Sequence, residues 1–331
     1  MRTDALDRLE ALPRKPLAFL PTPLLPSPAL RGALGPTAPS ILMKMDDWTG
    51  FALGGNKVRK LEFYLGGEGA RADTLITCGG PQSNHCRVTA ATAAQLGKSC
   101  ILVVNGRPPD PPTGNALLMK LFGAEIRVVE GREARAPAME AAALKVRERG
   151  GNPLVIPLGA STPLGALGYV RAAVELDRQM GERGGWPNGL TWIFISSSSC
   201  GTLAGLTLGF SILGRRNVRL VGVSPDVSAE EMRTVTTEIA VGSAELLGWE
   251  GDLLPDLVTP EDRFIGQGYG IPSEASREAT RFFGKNGGVV LDPVYTAKAG
   301  AGFLDWIREG RIPEGDTALF WHTGGAPALF T

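Results

Sequence analysis

The stretch Gly54-Gly55-Asn56-Lys57-Val58-Arg59-Lys60 places a lysine directly after two glycines and an asparagine, where an amphipathic segment begins. About twenty residues later, the polar cluster Gln82-Ser83-Asn84-His85 separates a strand-like run from an alanine-rich segment. A lysine amine in a tight, partly desolvated pocket has a lowered pKa and forms a Schiff base with a carbonyl compound. A lone lysine in a basic run is more often the solvated start of a helix. The glycine turn and the polar cluster favour a reactive lysine.

The composition is that of a globular protein with more than one core. The chain has 331 residues, of which 43% are hydrophobic and 21% are charged, and this length exceeds the usual size of a single domain. Lysine plus arginine and aspartate plus glutamate both number 34. Without a net positive charge, no overall field attracts nucleic acid or an anionic membrane, so we expect neither partner.

The cysteine and histidine content gives no sign of a metal site. The four cysteines form no ligand-spaced pair and there are only two histidines, His85 and His322, so we expect no metal. The N-terminus is charged where a signal peptide would be apolar, and the longest apolar runs are too short to span a bilayer. We therefore predict a cytoplasmic protein with reduced thiols.

Short β-like runs alternate with helical stretches along most of the chain. The predicted strands are 74–78, 100–104, 125–129, 153–156, 192–195, 219–223, 289–291 and 318–322. The predicted helices are 88–96, 115–122, 136–149, 204–213, 230–241, 273–285 and 297–309. Strand-helix-strand repetition at this spacing predicts an α/β fold, with parallel sheets flanked by helices.

Ligands of such folds bind beyond the carboxyl ends of the strands, where four polar or glycine-rich segments are expected. These are residues 79–85, 196–205, 267–270 and 323–325. In the second of them, Ser196-Ser197-Ser198-Ser199-Cys200-Gly201-Thr202 precedes a predicted helix, so backbone N–H groups and hydroxyls can converge on an anion. It matches neither a Walker A motif nor G-x-G-x-x-G. The run therefore favours one phosphate group, although a serine loop with a helix cap is an alternative.

A lysine suited to Schiff-base chemistry and a cradle for one phosphate together suggest pyridoxal phosphate. The chain also resembles the D-cysteine desulfhydrase and 1-aminocyclopropane-1-carboxylate deaminase family, which has the tryptophan-synthase-β-like fold (fold type II). The resemblance runs nearly end to end, through residues 20–24, 46–50, 54–62, 82–87, 268–272, 291–298 and 322–330.

The resemblance implies a role for each of a set of residues. The implied catalytic residues are Lys57, Ser83, Tyr269 and Tyr295. The implied cofactor contacts are Lys57, Lys60, Asn84, Ser199, Cys200, Gly201, Thr202 and Thr296. In this scheme Lys57 binds the cofactor covalently, Lys60 and the serine loop hold its phosphate, and Asn84 hydrogen-bonds its ring hydroxyl.

The implied substrate contacts are Ser83, beside the carboxylate, and the two tyrosines. Thr296 stands where the deaminase branch typically has a glutamate that contacts the pyridine nitrogen. A neutral residue there favours the desulfhydrase branch. Cys200 departs from the pattern, since a glycine is expected in the phosphate loop.

The resemblance implies β-elimination on a small amino acid, with D-cysteine giving pyruvate, ammonia and hydrogen sulfide. The alternatives are a 1-aminocyclopropane-1-carboxylate deaminase, elimination from L-cysteate or 3-chloroalanine, and a non-catalytic protein that binds pyridoxal phosphate. The resemblance also implies a homodimer. We expect residues 1–56 and 166–331 to form a larger cofactor-binding domain and residues 57–165 a smaller α/β domain, with the active site in the cleft between them.

Overall fold

Strands and helices alternate along the chain in a computed structural model that describes residues 2–254 and 256–331. The strands are β1 Leu24–Pro26, β2 Ser40–Met45, β3 Thr74–Gly79, β4 Ser99–Asn105, β5 Glu125–Val129, β6 Pro153–Val155, β7 Thr191–Ser196, β8 Val218–Val223, β9 Val258–Glu261 and β10 Thr317–His322. The helices are α1 Arg2–Ala11, α2 Pro28–Leu34, α3 Lys57–Tyr64, α4 Asn84–Gln95, α5 Gly114–Leu121, α6 Arg135–Glu148, α7 Pro163–Glu182, α8 Gly201–Leu213, α9 Ala229–Leu246, α10 Glu274–Gly287 and α11 Thr296–Arg308. Among the described residues, no helix is both long and apolar enough to cross a bilayer.

The strands form two separate sheets. The larger has the order β1-β2-β10-β7-β8-β9, and every pairing in it is parallel except that of β1 with β2. The smaller has the order β5-β4-β3-β6 and is entirely parallel. The predicted α/β fold with parallel sheets is confirmed. The smaller sheet lies wholly within residues 57–165, and the division into two domains stays a prediction.

Most predicted elements are present, and the differences have local causes. Helix α7, which packs against α3 and α8, was not predicted because its first turns, Pro163-Leu164-Gly165-Ala166-Leu167-Gly168, contain residues typical of loops. Its glycines allow close packing, since a Cβ at Gly168 would lie 2.3 Å from the Arg59 carbonyl oxygen. The predicted strand at residues 289–291 is wrong, because this segment is a loop against α11 and pairs with no strand. Strand β2 was also not predicted.

A buried ionic cluster joins α3 to α7 and to the segment after β2. Arg59 donates two hydrogen bonds to Asp46, at 2.8 and 3.0 Å, and two to Glu175, at 2.9 and 3.0 Å. Lys44 lies 2.5 Å from Glu175, and the Tyr169 hydroxyl donates to Asp46 at 2.6 Å. Burial alone would raise the pKa of Asp46, but the Arg59 guanidinium lowers it to about 2. The cluster fixes α3, whose first residue is Lys57.

We predict that Asp46→Asn lowers the free energy of unfolding by about 3 kcal/mol, because two buried cations, Arg59 and Lys44, are then left with one carboxylate, Glu175. The matched control, Glu125→Gln, breaks an exposed pair with Arg127 and should cost less than about 1 kcal/mol. The pKa of Asp46 is lower in the folded state, so its contribution is complete above pH 4 and is lost as the pH falls towards 2. Urea unfolding at pH 7 and pH 3 measures both effects. Equal losses in the two variants at pH 7 would contradict the prediction.

Candidate active site

A cavity of about 840 Å³, counting its open mouth, lies where the carboxyl ends of the two sheets face each other. Its wall includes Asn56, Lys57, Lys60, Gly79, Gly80, Ser83, Asn84, His85, Arg132, Arg135, Leu158, Gly159, residues 196–200, Thr202, Asp226, Tyr269, Tyr295, Thr323 and Gly324. All four segments expected at strand ends therefore contribute to one site. Among the described residues, no cluster of side chains could hold a metal ion.

The glycine turn aims Lys57 into this cavity. Gly54 and Gly55 have φ of 67° and 111°, a region that favours glycine. A Cβ at Gly54 would lie 1.8 Å from the Asp47 carbonyl oxygen. The next N–H group, that of Asn56, donates to the carbonyl oxygen of Thr323 at 3.0 Å. The turn is thereby tied to the end of β10, and α3 begins at the cavity wall.

The Lys57 and Lys60 amines lie close enough that each shifts the pKa of the other. Desolvation lowers the pKa of Lys57 to about 8. Desolvation and the neighbouring Lys57 charge lower the pKa of Lys60 well below its usual value. Neither amine has a carboxylate neighbour in the described part of the chain. The site thus favours the loss of a proton from one of the two amines or the binding of an anion beside them.

The predicted phosphate loop forms a cradle around Lys60. Lys60 donates to the Ser161 hydroxyl at 2.8 Å, and Ser161 hydrogen-bonds Ser199 at 2.7 Å. Thr202 lies in the first turn of α8 and accepts a hydrogen bond from the Asn56 amide at 3.0 Å. The N-terminus of this 13-residue helix adds partial positive charge. The donors suit a single phosphate group.

Two further positions shape the same cradle. A Cβ at Gly201 would lie 2.8 Å from the Ser161 Cα and 2.9 Å from the Lys60 Nζ. Cys200 has φ of 59°, which is rare for a residue other than glycine. Its thiol is buried in the core rather than free in solvent. Cys200 therefore takes the backbone shape expected of a glycine at this position.

Asn84 presents an unused amide donor to the cavity. Its Oδ1 accepts from Arg87 at 3.0 Å and from the Asn115 amide at 2.9 Å. Because arginine can only donate, this contact fixes the orientation of the Asn84 amide. Its Nδ2 donates to no acceptor among the described residues, so it can donate to a ligand oxygen. Arg87 also donates to the Gly54 carbonyl at 2.6 Å, which is a structural role.

Ser83 and two tyrosines supply hydroxyl groups. The Ser83 Oγ accepts from the Cys86 N–H at 3.2 Å as the N-cap of α4, so its proton is free to donate. The Tyr269 and Tyr295 hydroxyls share a short hydrogen bond, and the centroids of their rings are 5.8 Å apart. Burial raises the pKa of both tyrosines, which keeps both protonated near neutral pH.

Thr296 does not line the cavity. Its hydroxyl accepts from the Asp292 N–H and donates to the Asp292 carboxylate, both at 2.7 Å. It closes the turn that carries Tyr295. Sequence reasoning missed several lining or supporting residues, whose neighbourhood carries no recognisable motif. These are Arg132, Arg135, Ser161 and Asp226.

A lysine of low pKa, a phosphate cradle and a free amide donor fit pyridoxal phosphate, which carries an aldehyde, a phosphate and a ring hydroxyl. The family model described as "Pyridoxal-phosphate dependent enzyme" matches residues 16–324. The chain belongs to the pyridoxal-phosphate-dependent enzymes. Within this family, Lys57 would bind the aldehyde carbon, Lys60 and the α8 cradle the phosphate, and Asn84 the ring hydroxyl.

Individual members of this family are similar to the chain over almost its whole length. The chain is 39% identical to D-cysteine desulfhydrases of Salmonella choleraesuis and Salmonella newport, over 98% of each chain. A crystal structure of an "ACC deaminase homologue" is 35% identical and superimposes with a TM-score of 0.88, covering 100% of this chain and 97% of that one. Threonine deaminase isoform 2 of Solanum lycopersicum, 16% identical with a TM-score of 0.67 over 98% of this chain and 84% of that one, shares the fold.

We predict that Gly201→Ala raises the dissociation constant for pyridoxal phosphate at least about tenfold, because the new methyl group occupies the cradle and displaces Lys60 or Ser161. The control is Gly181→Ala in α7, where a Cβ meets no atom within 4 Å. Titration of the cofactor-free proteins, followed by absorbance, gives the constants. Unchanged affinity in Gly201→Ala would place the phosphate elsewhere.

Proposed function

We propose that this enzyme eliminates the β-substituent of a small amino acid, with D-cysteine giving pyruvate, ammonia and hydrogen sulfide. The observation that carries the proposal is that the Lys57 amine shares one cavity with Ser83 and the Tyr269–Tyr295 pair. The curated relatives named D-cysteine desulfhydrase support the choice of substrate. When bound, pyridoxal phosphate withdraws electrons from the substrate Cα and so acidifies its C–H bond.

Lys57 provides the base for that proton. With its pKa lowered to about 8 by desolvation, a useful fraction of the amine is neutral near neutral pH. Once the substrate amine has replaced Lys57 on the cofactor, the freed Nζ can therefore accept the proton from Cα. A group whose pKa lies near the working pH is an effective general base.

The remaining hydroxyls orient the substrate and assist the leaving group. The Ser83 hydroxyl and the N-terminus of α4 can donate to the substrate carboxylate. The Tyr269–Tyr295 pair stays protonated, so one hydroxyl can donate its proton to the departing sulfur while the other keeps it in place. His85 is not needed as a base, since its Nε2 is hydrogen-bonded to Thr77 at 2.7 Å. Burial lowers the pKa of His85 well below its usual value.

A second candidate is the opening of 1-aminocyclopropane-1-carboxylate to 2-oxobutanoate and ammonia. The solved "ACC deaminase homologue" supports it through its TM-score of 0.88. The neutral Thr296, where the deaminase branch typically has a glutamate, argues against it. The two reactions are distinguished by their products, which are pyruvate for the elimination and 2-oxobutanoate for the ring opening.

We predict that the wild-type enzyme loaded with pyridoxal phosphate releases pyruvate from D-cysteine and that Lys57→Ala lowers the rate at least about 1,000-fold, since the base is lost. Lys120→Ala, which removes an exposed lysine of α5, is the control. Coupled assays for pyruvate and for 2-oxobutanoate measure the outcome. Only 2-oxobutanoate, from the cyclopropane, would establish the second candidate. A visible absorbance band with neither product would indicate a non-catalytic cofactor-binding protein.

We propose in addition that the enzyme is a cytoplasmic homodimer. Large apolar side chains, including Phe19, Trp48 and Leu53, are more than half exposed and could be covered by a second copy. Sedimentation velocity should give twice the chain mass of 34.9 kDa. A species of the single chain mass at micromolar concentration would contradict the dimer.

A further inference from the structure

The cavity wall carries more positive than negative charge. Its cations are Lys57, Lys60, Arg132 and Arg135, and its one carboxylate among the described residues is Asp226. Lys60 lies in the phosphate cradle, and Lys57 is the residue that binds the cofactor in the proposed function. Arg132 lies 3.5 Å from the Asp226 carboxylate and 4.9 Å from the centre of the Tyr269 ring. Arg135 has no counterion among the described residues.

Arg135 is held in place without being neutralised. It is the first residue of α6 and its side chain is only 9% exposed. Its Nε and Nη2 both donate to the Asn105 amide oxygen, through Nε at 2.9 Å. No described carboxylate lies within 4 Å of its guanidinium, and Nη1 donates to no described acceptor. A desolvated guanidinium held by a neutral amide is a site for an anion.

Arg135 shares a cavity wall with Ser83, the N-cap of α4. Asn105, which holds Arg135, follows Val104, the register partner of Gly79 at the end of β3. The α-carboxylate of the substrate already has donors in Ser83 and the α4 N-terminus. For a second anion of the same substrate, on the neighbouring carbon Cβ, Arg135 is an unpaired cation on the same wall.

We propose that Arg135 is a specificity-determining residue that recognises a negatively charged substituent on the substrate Cβ. The substrate class is then amino acids whose β-substituent enters as an anion, such as the sulfonate of cysteate or the thiolate of cysteine. The inference rests on the proposed β-elimination, and it adds a preference that the proposed function does not contain.

For cysteate the reaction balances without an added oxidant or reductant. The Cα–H bond breaks and its proton goes to the Lys57 amine. The Cβ–S bond breaks and its electron pair leaves with sulfur as sulfite. One water molecule then completes the conversion of the remaining three-carbon fragment to pyruvate and ammonia. Arg135 keeps its charge throughout and pairs with the sulfonate before the bond breaks and with sulfite afterwards.

The test compares cysteate with 3-chloroalanine, whose β-substituent is neutral, in both enantiomers and with one product, pyruvate. Removing a charge-assisted hydrogen bond costs about 10- to 100-fold. In Arg135→Gln, the ratio of kcat/KM for cysteate to kcat/KM for 3-chloroalanine should fall by about that factor, chiefly through KM. Arg135→Lys should restore part of the ratio. Arg147→Gln removes an exposed charge from the same helix and should keep the wild-type ratio.

A binding measurement keeps the proposal testable if Arg135→Gln does not fold. Calorimetry on the wild-type holoenzyme should show that 3-sulfopropanoate, which has no amine and cannot react, binds at least about tenfold more tightly than propanoate. Equal affinities, or an equal loss of kcat/KM for both substrates in Arg135→Gln, would overturn the role of Arg135. Tight binding of 3-sulfopropanoate without pyruvate from any amino acid would overturn the proposed elimination and leave the anion site standing.

Discussion

The site depends on two lysine amines that are packed together with no carboxylate beside them in the described part of the chain. Lys57 and Lys60 are three residues apart on α3 and therefore lie on one face of it. Desolvation lowers the pKa of each, and the Lys57 charge lowers that of Lys60 further. Two ammonium groups so close are stable only if one loses its proton or an anion joins them. A cofactor with both an aldehyde and a phosphate meets both conditions.

The scaffold keeps this pair in place by using the other faces of the same helix. Arg59 is fixed by Asp46 and Glu175, while Glu62 accepts from the N–H groups of Leu17 and Ala18 at 2.7 and 2.9 Å. A short helix of eight residues is thus held on several sides. The paired charges of Arg59 and Glu62 hold α3 in place. The amines of Lys57 and Lys60, on the cavity face of the same helix, have no such partners and are available to bind the cofactor.

The sequence predicted the alternating fold and the residues that lie in motifs, because glycine turns and strand ends leave local signals. It did not predict α7, whose glycine-rich start resembles a loop and whose helical form depends on packing against α3 and α8. The contact of Thr296 with the cofactor stays a prediction, and the hydrogen bond of its hydroxyl to Asp292 left no signal in the sequence. Arg135 and Asp226 were missed because only the folded chain brings their distant segments to one cavity wall.

The measurement that tests the central claim most directly is peptide mapping after borohydride reduction of the enzyme loaded with pyridoxal phosphate. Reduction fixes the cofactor to whichever amine holds it, and mass spectrometry distinguishes Lys57 from Lys60. The structure predicts the cofactor on Lys57 alone, with Lys60 unmodified. Modification of Lys60, or of neither lysine in a protein that retains its visible absorbance band, would contradict the assignment.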